Sequence, residues 1–209
     1  MNLNEQQKKS IEHFNGPCLV VGTPGSGKTR VITERVKYLV EEKGVKNTNI
    51  LVITFTKAAA VQMKKRYEAM VSGDAKRVYF GTFHAIFFTI LKYAYHYTAD
   101  NIIRDDVKRQ LLRELANKEE IEMQDENDFL NELVSEISKV KGEMLDLRHY
   151  YSPNCPGESF RRIYSGYQSI LESRKLIDFD DMLVLCYELF RSRPDVLAQW
   201  QKKFRYVLI

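Results

Sequence analysis

Eight residues near the N-terminus have the types and spacing needed to bind a phosphate group. The pattern G-x-x-x-x-G-K-[ST] is matched at every fixed position by Gly22-Thr23-Pro24-Gly25-Ser26-Gly27-Lys28-Thr29. Glycines let the backbone curl so that successive N–H groups point at phosphate oxygens, and the positive end of a following helix faces the same anion. We expect Lys28 to reach the β- and γ-phosphates of a nucleotide and the Thr29 hydroxyl to bind Mg²⁺.

The segments on either side of this loop support a nucleotide site. The apolar run 18–21, Cys-Leu-Val-Val, predicts a short buried strand before the loop. After the loop, apolar residues recur at helical spacing at Ile32, Val36, Leu39 and Val40. The alternative is a glycine-rich turn that merely joins a strand to a helix. A full pattern match with both flanks in place favours the nucleotide site over that turn.

Composition predicts a soluble globular protein in a reducing cytoplasm. The 209 residues are 44% hydrophobic and 29% charged, with a net charge of +4. No apolar stretch approaches the ~20 residues of a membrane span, and the N-terminus lacks a secretion signal. The three cysteines, Cys18, Cys155 and Cys186, form no C-x-x-C pair, which favours free thiols over disulfides or a metal site. The mild positive charge is compatible with a polyanionic partner but does not establish one.

Strands alternate with helices in the first half of the chain. Residues 50–55 and 78–80 are apolar and β-prone, and each is followed by a helical pattern. This order predicts an α/β fold with a parallel sheet and helices on both faces. Asn4 and Gln7 have the spacing of a helix capping box.

In the second half of the chain the sequence pattern predicts only helices until the apolar run at the C-terminal end. Residues 105–175 contain three helical patterns, which indicate an inserted helical subdomain. Residues 204–209 are typical of a central strand, and a chain ending there is expected to be a fragment. We therefore predict a first core segment at 1–104, a helical insertion at 105–177 and a continued core at 178–209.

Several further segments resemble the motifs of superfamily 1 DNA helicases of the UvrD, PcrA and Rep type, in family order and over essentially the whole chain. Leu3-Asn4-x-x-Gln7 is similar to the Q motif, and residues 22–30, which end in Arg30, resemble motif I. Residues 53–59 resemble motif Ia, and residues 81–84 resemble motif Ib. Residues 178–181 are similar to an acidic segment ahead of motif II, whose strand would be 206–209.

The resemblance implies a RecA-like P-loop NTPase that uses ATP and Mg²⁺. Gln7 would contact the adenine edge, and Lys28 and Thr29 would act in catalysis. The expected nucleotide-binding residues are Gln7, Gly22, Thr23, Pro24, Gly25, Ser26, Gly27, Lys28, Thr29 and Arg30. An arginine from a second motor domain would complete the site in an intact family member.

The resemblance also implies DNA contacts. The expected residues are Phe55, Thr56, Lys57, Thr82, Phe83, His84 and, by a weaker likeness together with Ser138 and Lys139, Lys141. The structural alternatives are that Phe55 belongs to the core, that His84 only orders a loop or helix end, and that the insertion lysines form an ordinary charged surface. The cluster Lys64, Lys65 and Arg66 is most simply a solvated helix face.

Three aspartates, Asp178, Asp180 and Asp181, offer carboxylates at short spacing. One interpretation of this spacing is a catalyst that uses paired carboxylates. We prefer a structural role in capping and positioning the following helix, because the family that the chain resembles keeps its catalytic acids elsewhere.

Two departures from the family pattern affect what we expect. Lys57-Ala58 stands where motif Ia more often has Asn-Lys, which shifts the basic residue by one position. The Asp-Glu pair of motif II would fall just beyond Ile209. We therefore expect these 209 residues alone to bind nucleotide weakly without turning it over.

The predicted function is an ATP-dependent 3′-to-5′ DNA helicase that moves along single-stranded DNA and meets duplex junctions, with no membrane partner. A close alternative is the motor subunit of a helicase–nuclease complex. A P-loop small-molecule kinase and a non-catalytic ATP-binding interaction module are alternatives from other classes.

Overall fold

The computed structural model describes residues 3–121 and 125–209, which form nine α-helices and three β-strands. In chain order these are α1 (Glu5–Glu12), α2 (Lys28–Glu41), β1 (Ile50–Thr54), α3 (Lys57–Glu68), β2 (Tyr79–Thr82), α4 (Phe83–Tyr95), α5 (Asp105–Lys118), α6 (Glu126–Gly142), α7 (Gly157–Ser173), α8 (Phe179–Ser192), α9 (Pro194–Lys203) and β3 (Tyr206–Leu208). Within these described ranges, no helix is long and apolar enough to cross a membrane.

The three strands form one parallel sheet in the order β2-β1-β3. Val52 lies opposite Phe80 of β2 and Leu208 of β3, and Thr54 lies opposite Thr82. The parallel α/β fold predicted from the sequence is therefore confirmed. The final apolar run forms β3, but β3 lies at one edge of the three described strands, whereas the sequence predicted a central strand.

β1 is the centre of the core in its part of the chain. Ile50 and Val52 pack on one face of the sheet with Val36 and Leu39 of α2. Leu51 and Ile53 point to the opposite face and are also buried, so both faces of β1 are covered. A strand that is buried on both faces needs the continuous apolar sequence that residues 50–53 provide.

The strand predicted at residues 18–21 is absent, and this prediction was wrong. These residues form no helix or strand, and Leu19 and Val21 are 90% and 88% exposed. A β-strand needs a neighbour for its backbone N–H and C=O groups. No other described segment pairs with residues 18–21, so their apolar, β-prone composition alone does not make a strand. Cys18 is exposed as part of the same segment.

The chain divides into two compact units, which we call unit 1 and unit 2. Unit 1 runs up to Ile86 and includes Arg193–Ile209, and unit 2 is Phe87–Ser192. Unit 2 has its own core, in which Leu112 of α5, Leu133 of α6 and Phe160 of α7 are fully buried. The described residues of unit 2 contain helices and a single isolated β-bridge, between Ile102 and Ile177. The domain boundaries at 104/105 and 177/178 stay predictions.

Candidate functional site

The phosphate loop owes its shape to its glycines. Gly25 and Gly27 have φ of +81° and +85°, a left-handed conformation that residues with a side chain rarely adopt. At Gly22 a Cβ atom would lie 2.6 Å from Oγ of Ser26, closer than real contacts allow. The left-handed backbone at Gly25 and Gly27 therefore favours glycine at both positions, whereas a side chain at Gly22 would require Ser26 to rotate away. Gly27 is also the N-cap of α2, so the loop leads directly into the positive end of that helix.

Lys28 folds back over this loop. It is the first residue of α2, and its Nζ donates hydrogen bonds to the carbonyl oxygens of Gly22, at 2.9 Å, and Thr23, at 2.8 Å. The side chain is exposed to solvent. A full positive charge thus lies against the loop, beside the N–H groups of the helix terminus. That combination is suited to an anion with several negative charges.

The first turn of α2 continues with Thr29 and Arg30. Both are half-buried, and Nε of Arg30 lies 3.9 Å from Oε1 of Glu34. Their carbonyl oxygens accept a bifurcated hydrogen bond from Oγ1 of Thr33, which is fully buried. Within residues 3–121 and 125–209 no group of three or more His, Cys, Asp or Glu side chains is placed to hold a metal ion. A single threonine hydroxyl fits Mg²⁺, which usually keeps several waters and takes its other ligands from substrate phosphates.

Gln7 connects the first helix to the phosphate loop. Asn4 and Gln7 form the predicted capping box of α1: the N–H of Gln7 donates to Oδ1 of Asn4, and the N–H of Asn4 donates to Oε1 of Gln7. The same side chain also donates from Nε2 to the carbonyl of Ser26, at 3.0 Å. The sequence predicts the capping box but not this bond, because no local spacing signals a contact across nineteen residues. The side chain of Gln7 therefore stabilises the N-terminal cap of α1 and also binds the phosphate loop.

Arg35 fixes the other end of α1, a role that no sequence pattern signals. Its Nη1 donates to three carbonyls at the C-terminal end of that helix, those of Ser10, Ile11 and His13. Backbone carbonyls at a helix C-terminus lack partners within the helix, so a guanidinium satisfies them well. Burial lowers the pKa of Arg35 from its ordinary value. Through Arg35, α2 holds α1 in the position from which Gln7 reaches the loop.

The residues after β1 lie at the carboxyl edge of the sheet. Phe55 is 92% exposed, so the alternative that it belongs to the core does not hold. Thr56 is the N-cap of α3, with Oγ1 accepting from the N–H of Ala59, and its carbonyl accepts from Oγ1 of Thr54. Lys57 is the exposed first residue of the same helix. An aromatic ring and a lysine therefore emerge from one short turn.

The residues after β2 lie at the same edge. Because β1 and β2 are parallel and Thr54 is in register with Thr82, the segments that follow the two strands are neighbours. Oγ1 of Thr82 accepts a hydrogen bond from the N–H of Ala85 and so caps the start of α4, where Phe83 and His84 follow. The fold thus brings together both segments that were predicted to contact DNA.

Lys141 does not fit its predicted role, and this is a correction. The side chain is 2% exposed, and its Nζ donates to Oδ2 of Asp178 at 2.9 Å and to Oδ1 of Asp181 at 2.8 Å. An ammonium group that is buried between two carboxylates cannot reach a DNA phosphate. Of its predicted companions, Lys139 is exposed, whereas Ser138 donates to Oδ2 of Asp180.

The aspartates that Lys141 contacts have the structural role that we preferred. Oδ1 of Asp178 accepts from the N–H of Asp181, and Oδ2 of Asp181 accepts from the N–H of Asp178, so the pair caps the start of α8. Asp178 also accepts from Nζ of Lys108 and from the hydroxyl of Tyr167. All of these groups lie in unit 2.

This cluster shifts the pKa of its members in opposite directions. Burial by itself raises the pKa of Asp178, but the ammonium groups of Lys141 and Lys108 outweigh it and hold that pKa well below its usual range. Burial and the negative charge of Asp178 raise the pKa of Asp181. Burial and the same aspartate raise the pKa of Tyr167, which keeps its hydroxyl proton as a donor.

Comparison with known proteins gives a consistent result. The sequence matches the model of the family described as UvrD/REP helicase N-terminal domain over residues 3–209. It is 35% identical over 216 residues to "ATP-dependent DNA helicase PcrA" of Leuconostoc citreum, covering 98% of this chain and 28% of that protein. It is 32% identical to "Putative ATP-dependent DNA helicase YjcD" of Bacillus subtilis, covering 100% of this chain and 28% of the relative. The chain therefore spans less than a third of the length of these relatives.

Proposed function

The chain belongs to the UvrD/REP helicase N-terminal domain family, and we propose that it is the ATP-binding part of an ATP-dependent DNA helicase. In this proposal the protein moves 3′ to 5′ along single-stranded DNA and opens duplex junctions that it meets. ATP and Mg²⁺ are its cofactors, and DNA is its substrate. The polarity and the junction substrates rest on the family alone.

The observation that carries this proposal is the exposure of Phe55 in the unit that contains the phosphate loop. An aromatic side chain at the end of a buried strand ordinarily packs into the core. Here the ring is almost wholly exposed at the carboxyl edge of the sheet, next to Thr56 and Lys57. An exposed aromatic ring beside a cation is the combination that binds single-stranded DNA, by base stacking and by backbone contact. A small-molecule kinase has no need of such a surface.

The loop backbone and the first two residues of α2 have defined tasks in this proposal. The glycine-shaped backbone and the N-terminus of α2 bind the phosphates, and Lys28 exchanges its two loop carbonyls for phosphate oxygens. Thr29 would hold Mg²⁺, which would neutralise charge on the phosphates. As charge develops at the γ-phosphate, the ammonium of Lys28 stabilises it.

Gln7 retains the hydrogen-bonding capacity to contact adenine. Its amide oxygen has two lone pairs and its nitrogen two hydrogens, and the observed bonds to Asn4 and Ser26 use one of each. One acceptor and one donor remain, which matches the N6–H and N7 edge of adenine. We propose that Gln7 makes this contact while still capping α1.

The test is steady-state ATP hydrolysis by the protein at its natural full length, with and without single-stranded DNA. We expect strong stimulation by DNA that disappears in the Lys28→Ala variant, because the variant loses the cation that faces the phosphates. Turnover that is indifferent to DNA would count against the proposal and favour a kinase or another P-loop activity. Hydrolysis that survives the substitution would show that another site is responsible.

A further inference from the structure

The exposed face of α3 carries a shallow, open groove next to the proposed DNA-contacting residues. Its lining consists of Lys57, Ala58, Val61, Gln62 and Lys65, all of them exposed. Counted from Lys57, the other four residues lie one, four, five and eight positions further along the chain. At this spacing the five side chains lie on one side of the helix over about two turns. The helix buries its opposite side through Ala60 and Tyr67. We call these five residues the α3 stripe.

The charges of the α3 stripe are positive and uncompensated. No acidic side chain lines the groove, and the first turn of α3 contains no acidic residue. Lys57 adds its charge to the positive end of the helix dipole, where a carboxylate would be the stabilising choice. Neither Lys57 nor Lys65 has an ion-pair partner among the residues that the structure describes, whereas the neighbouring Lys64 lies 3.9 Å from Oε1 of Glu68.

The composition of the groove fits a nucleic-acid backbone better than another anion. Lys57 and Lys65 are ~12 Å apart along the helix axis, since each residue rises about 1.5 Å. Between them lie the apolar side chains of Ala58 and Val61 and the amide of Gln62. A backbone that alternates charged phosphates with less polar sugars matches two cations separated by an apolar floor. The start of the stripe is two residues from the exposed ring of Phe55.

We propose that the α3 stripe extends the DNA track of this protein, with Lys65 binding a second backbone phosphate of the single strand whose base stacks on Phe55. This inference rests on the proposed function and adds to it a contact that no sequence motif indicates. Lys65 is a binding residue in this assignment and takes no part in ATP chemistry.

The experiment measures the salt dependence of binding to a fluorescein-labelled oligothymidylate by anisotropy, with the protein at its natural full length. Each phosphate contact on a single strand contributes about 0.7 to the slope of log K against log salt. We expect Lys65→Ala to lower that slope by about 0.7 and to weaken binding several-fold at low salt. Lys65→Arg, which keeps the charge, should retain the slope.

Arg66→Ala is the matched control, since it removes one positive charge from the next residue of α3, which does not line the groove. Equal slopes of log K against log salt for Lys65→Ala and Arg66→Ala would overturn the inference. The loss of DNA affinity would then follow from the change in net charge and not from a contact at Lys65. An unchanged slope in Lys65→Ala, with a polyglutamate peptide binding the wild type and not the variant, would reassign the groove to an acidic protein partner. Failure of the wild type to bind oligothymidylate at all would instead overturn the proposed function.

Discussion

Gln7 combines a structural and a binding task in one side chain. Asn4 and Gln7 share the capping box of α1, but only Gln7 also bonds to Ser26 in the phosphate loop. A pair of alanine substitutions can therefore separate the two tasks. The cap depends on both residues, and the connection to the loop depends on one.

We predict that Asn4→Ala and Gln7→Ala both lower the free energy of unfolding, by about 1 kcal/mol each, because each removes a cap interaction. Only Gln7→Ala should weaken ATP binding, since it alone loses the bond to the loop carbonyl and the proposed adenine contact. Equilibrium titration with a fluorescent ATP analogue, together with urea unfolding, measures both effects. An equal loss of ATP affinity in the two variants would attribute the effect to fraying of α1.

A second prediction at the scale of the residue concerns Phe55 and separates its effect on stability from its effect on DNA binding. Its ring is almost fully exposed, so Phe55→Ala should change the free energy of unfolding by less than about 0.5 kcal/mol. Loss of a stacking platform should weaken single-stranded DNA binding by about 1–3 kcal/mol, and Phe55→Trp should restore it. Tyr151, which is 82% exposed in unit 2, supplies the control variant Tyr151→Ala. Comparable weakening by both variants would contradict a specific platform at Phe55.

At the scale of the element, α8 is positioned by the buried charges at its start. Asp178 and Asp181 cap the helix and at the same time accept hydrogen bonds from Lys141 of α6, while Lys108 of α5 contacts Asp178. Charges that are removed from water are tolerated only when they are paired and hydrogen-bonded. Three helices of unit 2 therefore meet in one ionic cluster.

We predict that Lys141→Ala destabilises the protein by about 3–5 kcal/mol, because it leaves buried carboxylates with too little compensation. Lys139→Ala, two residues away on an exposed position of α6, should change stability by less than about 0.5 kcal/mol. Chemical denaturation monitored by circular dichroism compares the two variants. A change of less than about 0.5 kcal/mol in both variants would contradict this prediction. It would mean that water screens the charges of the cluster in solution.

The same elements show how far local sequence predicts structure. Residues 50–53 and 18–21 are similarly apolar, yet only the first form a strand, because β2 and β3 supply hydrogen-bonding neighbours on both sides. Lys141 looked like a surface lysine, since its buried partner Asp178 lies far away in the sequence. The capping box was predicted correctly, and residues 22–29 lead into a helix as expected, because both signals lie within eight residues. Contacts between distant segments, such as Gln7 with Ser26, leave no local signal.

At the scale of the whole molecule, each of the two compact units contains an apolar core among the residues that the structure describes. Leu39 of α2 is fully buried in the α/β core of unit 1, and Leu133 of α6 is fully buried in the helical core of unit 2. The two residues are chemically identical and equally buried. They allow the stability of each unit to be changed by the same substitution.

We predict that Leu39→Ala and Leu133→Ala each cost about 2–5 kcal/mol, and that each loss appears mainly in the unit that contains the substitution. Hydrogen exchange measured by mass spectrometry should show faster exchange in β1 and α3 for Leu39→Ala, and in α5, α6 and α7 for Leu133→Ala, because each core opens as its own cooperative unit.

A non-hydrolysable ATP analogue should slow exchange in α1 and α2 and rescue Leu39→Ala but not Leu133→Ala, since ligand binding stabilises the unit that holds the ligand. Uniformly faster exchange throughout the chain in both variants would show that the two cores unfold together, and nucleotide binding would then stabilise the helical unit as much as the α/β unit.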